Sequence, residues 1–385
     1  MIAAYALLAA AVQMLWLTYA AITDQTAARY GVSTSAVGWL SEIFPLLYVV
    51  LAIPAGILLD RWFRPVLAAG GLLVALGGLV RLGGVSFGWA LAGQILVALA
   101  QPIVLSAVGK LAGVYLPHRH RATGIAVGSA GSFVGMLVAL LLGPLVGDHG
   151  HLVRLLVVEG LLAIPPALAL AVMLRRPGRF EGEPAAVAGS AARLLWAKPQ
   201  MRTLCGLVFL GFGIFVALAT WLQTLLHPSH VSDTTAGILL VGTILAGVIG
   251  CAVLPPLVDR RHSERPFMLG VVAASLLGSI ALAGIPWVGG RAVVLVVMGL
   301  FLLPALPVVL SGAERLAGPA AAGTAGAIVW MAGNLGGLVV AVIVQILVHH
   351  PTAAFLSLAA VAAFGLPLAL RLPGPVVRTG AVGPQ

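Results

Sequence analysis

Apolar residues run through this chain in long blocks, separated by short polar or basic punctuation. Each block approaches the roughly 20 helical residues that cross the hydrocarbon core of a bilayer. The blocks fall near 2–23, 36–59, 64–84, 88–116, 120–145, 152–174, 203–226, 234–257, 266–286, 290–313, 321–348 and 352–371. Period-two alternation of the outer-membrane-barrel kind is absent, and lipid admits only helices or closed barrels. The pattern predicts an all-α membrane protein with twelve transmembrane helices. Composition agrees: 61% of residues are hydrophobic and 8% charged, whereas a soluble domain carries about a quarter charged residues.

Charge then orients the segments. With the N-terminus in the cytoplasm, 17 of the 21 Lys and Arg fall on the inner side, and only Arg29, Arg81, Arg154 and Arg291 on the outer. Basic residues concentrate on cytoplasmic loops, so both termini are expected in the cytoplasm, with the protein in the plasma (bacterial inner) membrane. The net charge of +10 then describes topology and contact with the inner leaflet. No basic stripe lies away from the loops, which argues against a nucleic-acid partner. The opening run, MIAAYALLAAAVQMLWLTYAAI, has neither a basic start nor a convincing cleavage site and reads as the first helix. Cys205 and Cys251 fall within segments 7 and 8 and read as buried structural thiols.

The longest inward loop, 175–202, divides the chain into residues 1–174 and 203–371, six segments each. Its stretch AARLLWAK reads as a short interfacial helix, and the Gly/Pro-rich tail, 372–385, reads as disordered. The halves echo one another. GILLDRWFRP (56–65) has a partner in PPLVDRRHSERP (255–266), and Asp60-Arg61 and Asp259-Arg260 both follow the second segment of a half. Two parallel six-helix repeats build a major facilitator transporter. GILLDRWFRP resembles that superfamily's signature loop, Gly-x-x-x-Asp-Arg/Lys-x-Gly-Arg/Lys, with Phe63 in place of a Gly and a looser turn expected there. The resemblance implies that Gly56 allows close helix approach. It also implies that Asp60 meets an Arg or a helix N-terminus across the half interface, and that Arg64 latches the cytoplasmic side.

Transport sites in such folds lie near the bilayer midplane. At a rise of about 1.5 Å per residue, Gln101 and Asn334 fall almost at the centre, Trp16 about 5 Å outward and Phe212 about 4 Å inward. Pro102 follows Gln101 and frees a backbone carbonyl, as befits a helix that lines a cavity. No full charge falls at the centre: Glu42 and Glu159 sit two turns in from the outside and are the candidates for any proton coupling. A permanently cationic solute would then be held by the rings of Trp16 and Phe212. No phosphate loop, nucleophile elbow or metal-spaced Cys/His set occurs, so an enzyme, a cofactor and a metal site are not expected.

Most of the length resembles the feline leukaemia virus subgroup C receptor-related transporters, a major facilitator branch. The matching stretches are YGVSTSAVGWLSEI (30–43), GQILVALAQPIVLSAVGKLAGVYL (93–116), RATGIAVGSAGSFVG (121–135) and SGAERLAGP (311–319). Animal members resemble choline and ethanolamine carriers, and haem and pyridoxine have also been assigned within the family. The resemblance implies a choline cage in which Trp16 matches a Trp, Phe212 stands for a Tyr, Gln101 matches a Gln before Pro, and Asn334 falls at or beside a Gln. The expectation is a monomeric carrier of a choline-like amine or small organic cation, working by alternating access, with uniport favoured. An exporter of lipophilic drugs or metabolites and a haem transporter are the alternatives, and a non-transporting receptor comes last.

Overall fold

The computed structural model describes residues 1–147, 151–180 and 188–373. Helices α1 (Ile2–Leu17), α2 (Thr23–Tyr30), α3 (Thr34–Arg61), α4 (Phe63–Val80), α5 (Phe87–Tyr115), α6 (His118–Gly147) and α7 (Leu152–Met173) come first. After α8 (Ala188–Ala197) follow α9 (Pro199–Leu226), α10 (Asp233–Arg261), α11 (Glu264–Gly284) and α12 (Val288–Ala317), then α13 (Ala322–Ile346), α14 (Pro351–Ala363) and α15 (Gly365–Leu370). The described residues hold no strand. Among the described residues, eleven helical spans, with α14 and α15 counted as one, are long and apolar enough to cross a membrane. Apolar side chains cover these helices on every face because lipid and neighbouring helices are both apolar surroundings.

The first segment departs from the sequence pattern. Instead of a continuous helix over 2–23, α1 stops at Leu17 after 16 residues, about 24 Å at the helical rise. A 3₁₀ turn (Ala20–Ile22) and α2 carry the chain onward. The break is tertiary in origin. Thr18 turns its hydroxyl toward Glu159 of α7, and Arg81, at the end of α4, donates to both Thr18 (2.8 Å) and Glu159 (3.3 Å). Arg81 and Glu159 are fully buried, and the Tyr19 ring lies 5.7 Å from the guanidinium.

The expected loose turn at Phe63 is also corrected. Only Trp62 separates α3 from α4, its N–H donating to Leu58 (2.8 Å), and the Phe63 side chain anchors the turn by burial. A short helix, α8, occupies the second part of the segment 175–202, with Ala191 and Leu195 buried and Trp196 exposed. From residue 374 the expected disordered tail lies outside the described residues.

Helices α1 and α3–α7 pack among themselves, as do α9–α15. The two groups meet along a seam where α13 lies against α3 and α5, and α6 lies against α10 and α12. α8 touches α3, α9 and α13 and so lies across this seam. The Arg-rich turns after α3, α5, α10 and α12 share one end of the molecule, here the basic end.

Candidate transport site and gate

Halfway along the seam stands a chain of five aromatic rings. Tyr48 (α3) lies 6.2 Å from Trp330 (α13), which meets Phe212 (α9) edge-on at 5.8 Å. Phe212 lies 5.9 Å from Phe215, and Phe215 meets Phe133 (α6) at 6.1 Å. The chain thus begins and ends in the first helix group and passes through the second. Offset and edge-to-face pairs of this kind each add about 0.5–1.5 kcal/mol beyond burial.

Of the four residues expected at the midplane, the structure joins some and separates others. Gln101 is buried and donates its amide to Gln13 Oε1 of α1 at 2.8 Å, which makes Gln13 a partner that sequence reading missed. Asn334, one turn beyond Trp330, donates to the Trp330 carbonyl (2.9 Å). Phe212 belongs to the ring chain, but Trp16 does not. Trp16 packs on Phe44 (6.2 Å) and donates its indole N–H to the Ser41 carbonyl (2.9 Å). The ring against Phe212 is therefore Trp330, also absent from the expected set. Its only sequence signal is a Trp deep inside an apolar run, whereas Trp favours the interfaces.

On the basic side of the rings, the seam is closed by polar contacts. Asp60, in the last turn of α3, has a fully buried side chain, and its two carboxylate oxygens accept from the Gly323 and Thr324 backbone N–H groups (2.8 Å each). Lys110 of α5 reaches both the Asp60 carboxylate and its carbonyl at 2.9 Å. The N-terminus of α13 carries partial positive charge, so a buried carboxylate there is stabilised by dipole and hydrogen bonds together. Gly56 makes the approach possible: a Cβ on it would stand 2.8 Å from Thr324 Cα.

Nearby, Arg121 of α6 pairs with buried Glu314 of α12 (3.3 Å) and donates to the Gly113 carbonyl (3.1 Å). Lys198, just after α8, donates to the Leu316 carbonyl (2.8 Å). Arg64 is half-buried, while Arg61 is exposed and lies 4.5 Å over Trp62. In the second half, Asp259 pairs with Arg315 of α12 (2.8 Å), the counterpart of Asp60 with Lys110, and Arg315 also binds Glu264 (2.8 Å). Arg260 is exposed.

The two acids considered for proton coupling part company. Glu159 is enclosed with Arg81 and Thr18, a pairing that fixes the kink of the chain after α1. Glu42 is exposed on the face of α3 shared with Leu46 and Val50, away from the side that carries Phe44 and Tyr48. No carboxylate among the described residues hydrogen-bonds to the ring chain. No group of three or more His, Cys, Asp or Glu among them could hold a metal.

The model of the Major Facilitator Superfamily matches residues 1–341. Among curated proteins, the chain is 28% identical over 368 residues to solute carrier family 49 member A3 of Danio rerio, covering 88% of this chain and 77% of that one. It is 24% identical over 355 residues to the human choline/ethanolamine transporter FLVCR2, covering 84% and 67%. Among solved structures, the transporter FucP in its outward conformation superposes with a TM-score of 0.74 at 17% identity over 95% of this chain and 97% of that one. The human organic anion transporter MFSD10 gives 0.72 at 16% identity over 96% and 98%. Both show a shared fold.

Proposed function

This chain belongs to the Major Facilitator Superfamily, a family of transporters and not of enzymes, and we propose that it carries a choline-like amine or related small organic cation by alternating access. The observation behind this reading is the ring chain across the seam, bonded to no carboxylate among the described residues. Aromatic faces attract a cation that has lost its water by about 0.5–2 kcal/mol per contact, so several rings replace a counter-ion. The likeness to a choline/ethanolamine transporter supports the same substrate class.

Residues 1–174 and 203–371 act as two six-helix bundles, with α1 as a twelfth, short span, and the segment 175–202 joins them. The basic end faces the cytoplasm, both termini lie there, and the protein works as a monomer in the plasma membrane. Asp60, Gly56, Arg61 and Arg64, with Asp259 and Arg260, form the cytoplasmic gate. The arrangement described above is the state closed to the cytoplasm, and opening it separates α13 from α3 and α5. Uniport follows from the ion pairing of Glu159 and the outward placement of Glu42.

The test is thermal stabilisation of the purified protein by choline, ethanolamine, pyridoxine, haem and bulky lipophilic cations, repeated in Phe212→Ala. A ligand that binds only the folded state raises the apparent stability. Choline is expected to shift the wild type and not Phe212→Ala, which removes a ring from the chain. A shift with haem or bulky cations alone, surviving Phe212→Ala, would replace this reading with the haem or exporter one.

A further inference from the structure

Arg81 and Arg291 are both buried at the end of the molecule opposite the basic end, and they differ in their company. Arg81 has Glu159 as its counter-ion. Arg291, in the first turn of α12, is 6% exposed and pairs with no carboxylate among the described residues. Its Nε donates to the Ile285 carbonyl (2.8 Å) and its Nη2 to the Ser229 hydroxyl (2.9 Å), while Nη1 has no acceptor among those residues. The side chain thus runs back past the start of its own helix. That start is bare as well: Trp287 supplies no side-chain cap, and the first turn holds no acid. The first N–H groups of a helix have no intrahelical acceptor, so those of Val288, Gly289 and Gly290 add partial positive charge beside the guanidinium.

A buried charge without a counter-charge is costly, and a buried donor without an acceptor is rare. The neutral oxygens of Ile285 and Ser229 do not balance the guanidinium, whereas an anion does. Access lies through Ser229, which belongs to the exposed turn of residues 227–230. Its hydroxyl, swung aside, opens the edge between Nη1 and Nη2, and a phosphate takes such an edge with two oxygens. The level of the site selects the source of that phosphate. Trp287 is 63% exposed and folds its ring against Gly289 and Gly290, where an added Cβ would stand 2.5 Å and 2.8 Å from it. A Trp so placed, at the start of a helix with Val293, Val296 and Val297 exposed, marks the headgroup level of a bilayer. We propose that Arg291 and the N-terminus of α12 form a phospholipid site. The phosphate of a lipid in the leaflet at this end binds Nη1, Nη2 and the free N–H groups, and so pins α12 to the turn after α9. The site stands apart from the ring chain and is independent of the solute carried.

The experiment is hydrogen exchange of the full-length protein in neutral detergent, read by mass spectrometry in the peptide 284–294. Phosphatidylglycerol, diacylglycerol of the same chains and sodium phosphate are added in turn. Phosphatidylglycerol should slow exchange in this peptide several-fold, and diacylglycerol, which lacks the phosphate, should not. Arg291→Gln should abolish the protection, while Arg154→Gln, at an exposed arginine of the same end, should keep it. Val288→Glu supplies a built-in carboxylate at the helix N-terminus, three residues before Arg291. It should slow exchange without lipid and remove the response to lipid, and it decides the matter if Arg291→Gln does not fold. No protection by phosphatidylglycerol, or protection that survives in both variants, overturns the site. Equal protection by sodium phosphate at the same phosphate concentration means a free anion in place of a lipid and overturns the lipid assignment.

Discussion

Asp60→Asn isolates what holds the basic end shut. The substitution keeps the shape but turns one carboxylate oxygen into an amide donor facing a backbone N–H of Gly323 or Thr324, both of which now donate to Asp60 at 2.8 Å. It also leaves Lys110, whose side chain is 8% exposed, without its counter-charge. Removing one partner of a buried pair costs about 3–5 kcal/mol. Some of that returns through water on Lys110, so about 2–3 kcal/mol should act against closure, a shift of roughly 30- to 150-fold between closed and open populations. Spin labels at His120 and Arg261, exposed near the seam ends of α6 and α10, report the distance, with Cys205 and Cys251 changed to Ala. Asp60→Asn and Lys110→Met should each populate a longer distance. The double variant, with no orphaned charge, should recover part of the short one. A folded Asp60→Asn protein whose distances superimpose on those of the parent would refute the reasoning.

Two further outcomes follow from named contacts. Gly56→Leu places a side chain against Thr324 Cα and Ala327 Cβ, each 2.8 Å from the position of a Cβ; the same label pair should report an open basic end, and an unchanged short distance would mean that the approach of α3 to α13 is not what closes it. Glu159→Gln leaves the buried Arg81 charge unpaired, which should lower stability by about 3–5 kcal/mol in denaturant or thermal unfolding. The pH dependence of the remaining uptake should match that of the parent, and its disappearance would make Glu159 the proton carrier.

The span pattern was legible because length and apolarity suffice to mark a membrane helix, and most boundaries fall within a few residues of the apolar runs. The stop at Leu17 was not. Thr18 to Ile22 contain no Gly or Pro, and the break depends on Arg81 and Glu159, which pattern cannot bring together. Asp60 was legible in part: a helix N-terminus across the interface was one of two partners expected, and the structure supplies that terminus together with Lys110 in place of an Arg. Depth along a helix also picked out Gln101 and Phe212, since rise per residue is fixed. Rotation about the helix axis is set by packing, so Trp16 and Phe212 looked like neighbours while Trp330 went unseen.

The paired carboxylates at the basic end are alike in sequence and unlike in anchorage. Asp60 is sealed from water and bonded across the seam to α13, whereas Asp259 and Arg315 are each about a third exposed (34% and 35%) and both belong to the second helix group. A solvent-exposed pair contributes about 0–1 kcal/mol, and this one bonds nothing on the far side of the seam. Beside it a small void separates Ala122 of α6 from Pro255 and Val258 of α10. Water therefore has a foothold on one flank of the closed end and none at Asp60. Across the seam the α6 flank is held by the Arg121–Glu314 pair, with water close by, whereas the Asp60 knot is dry.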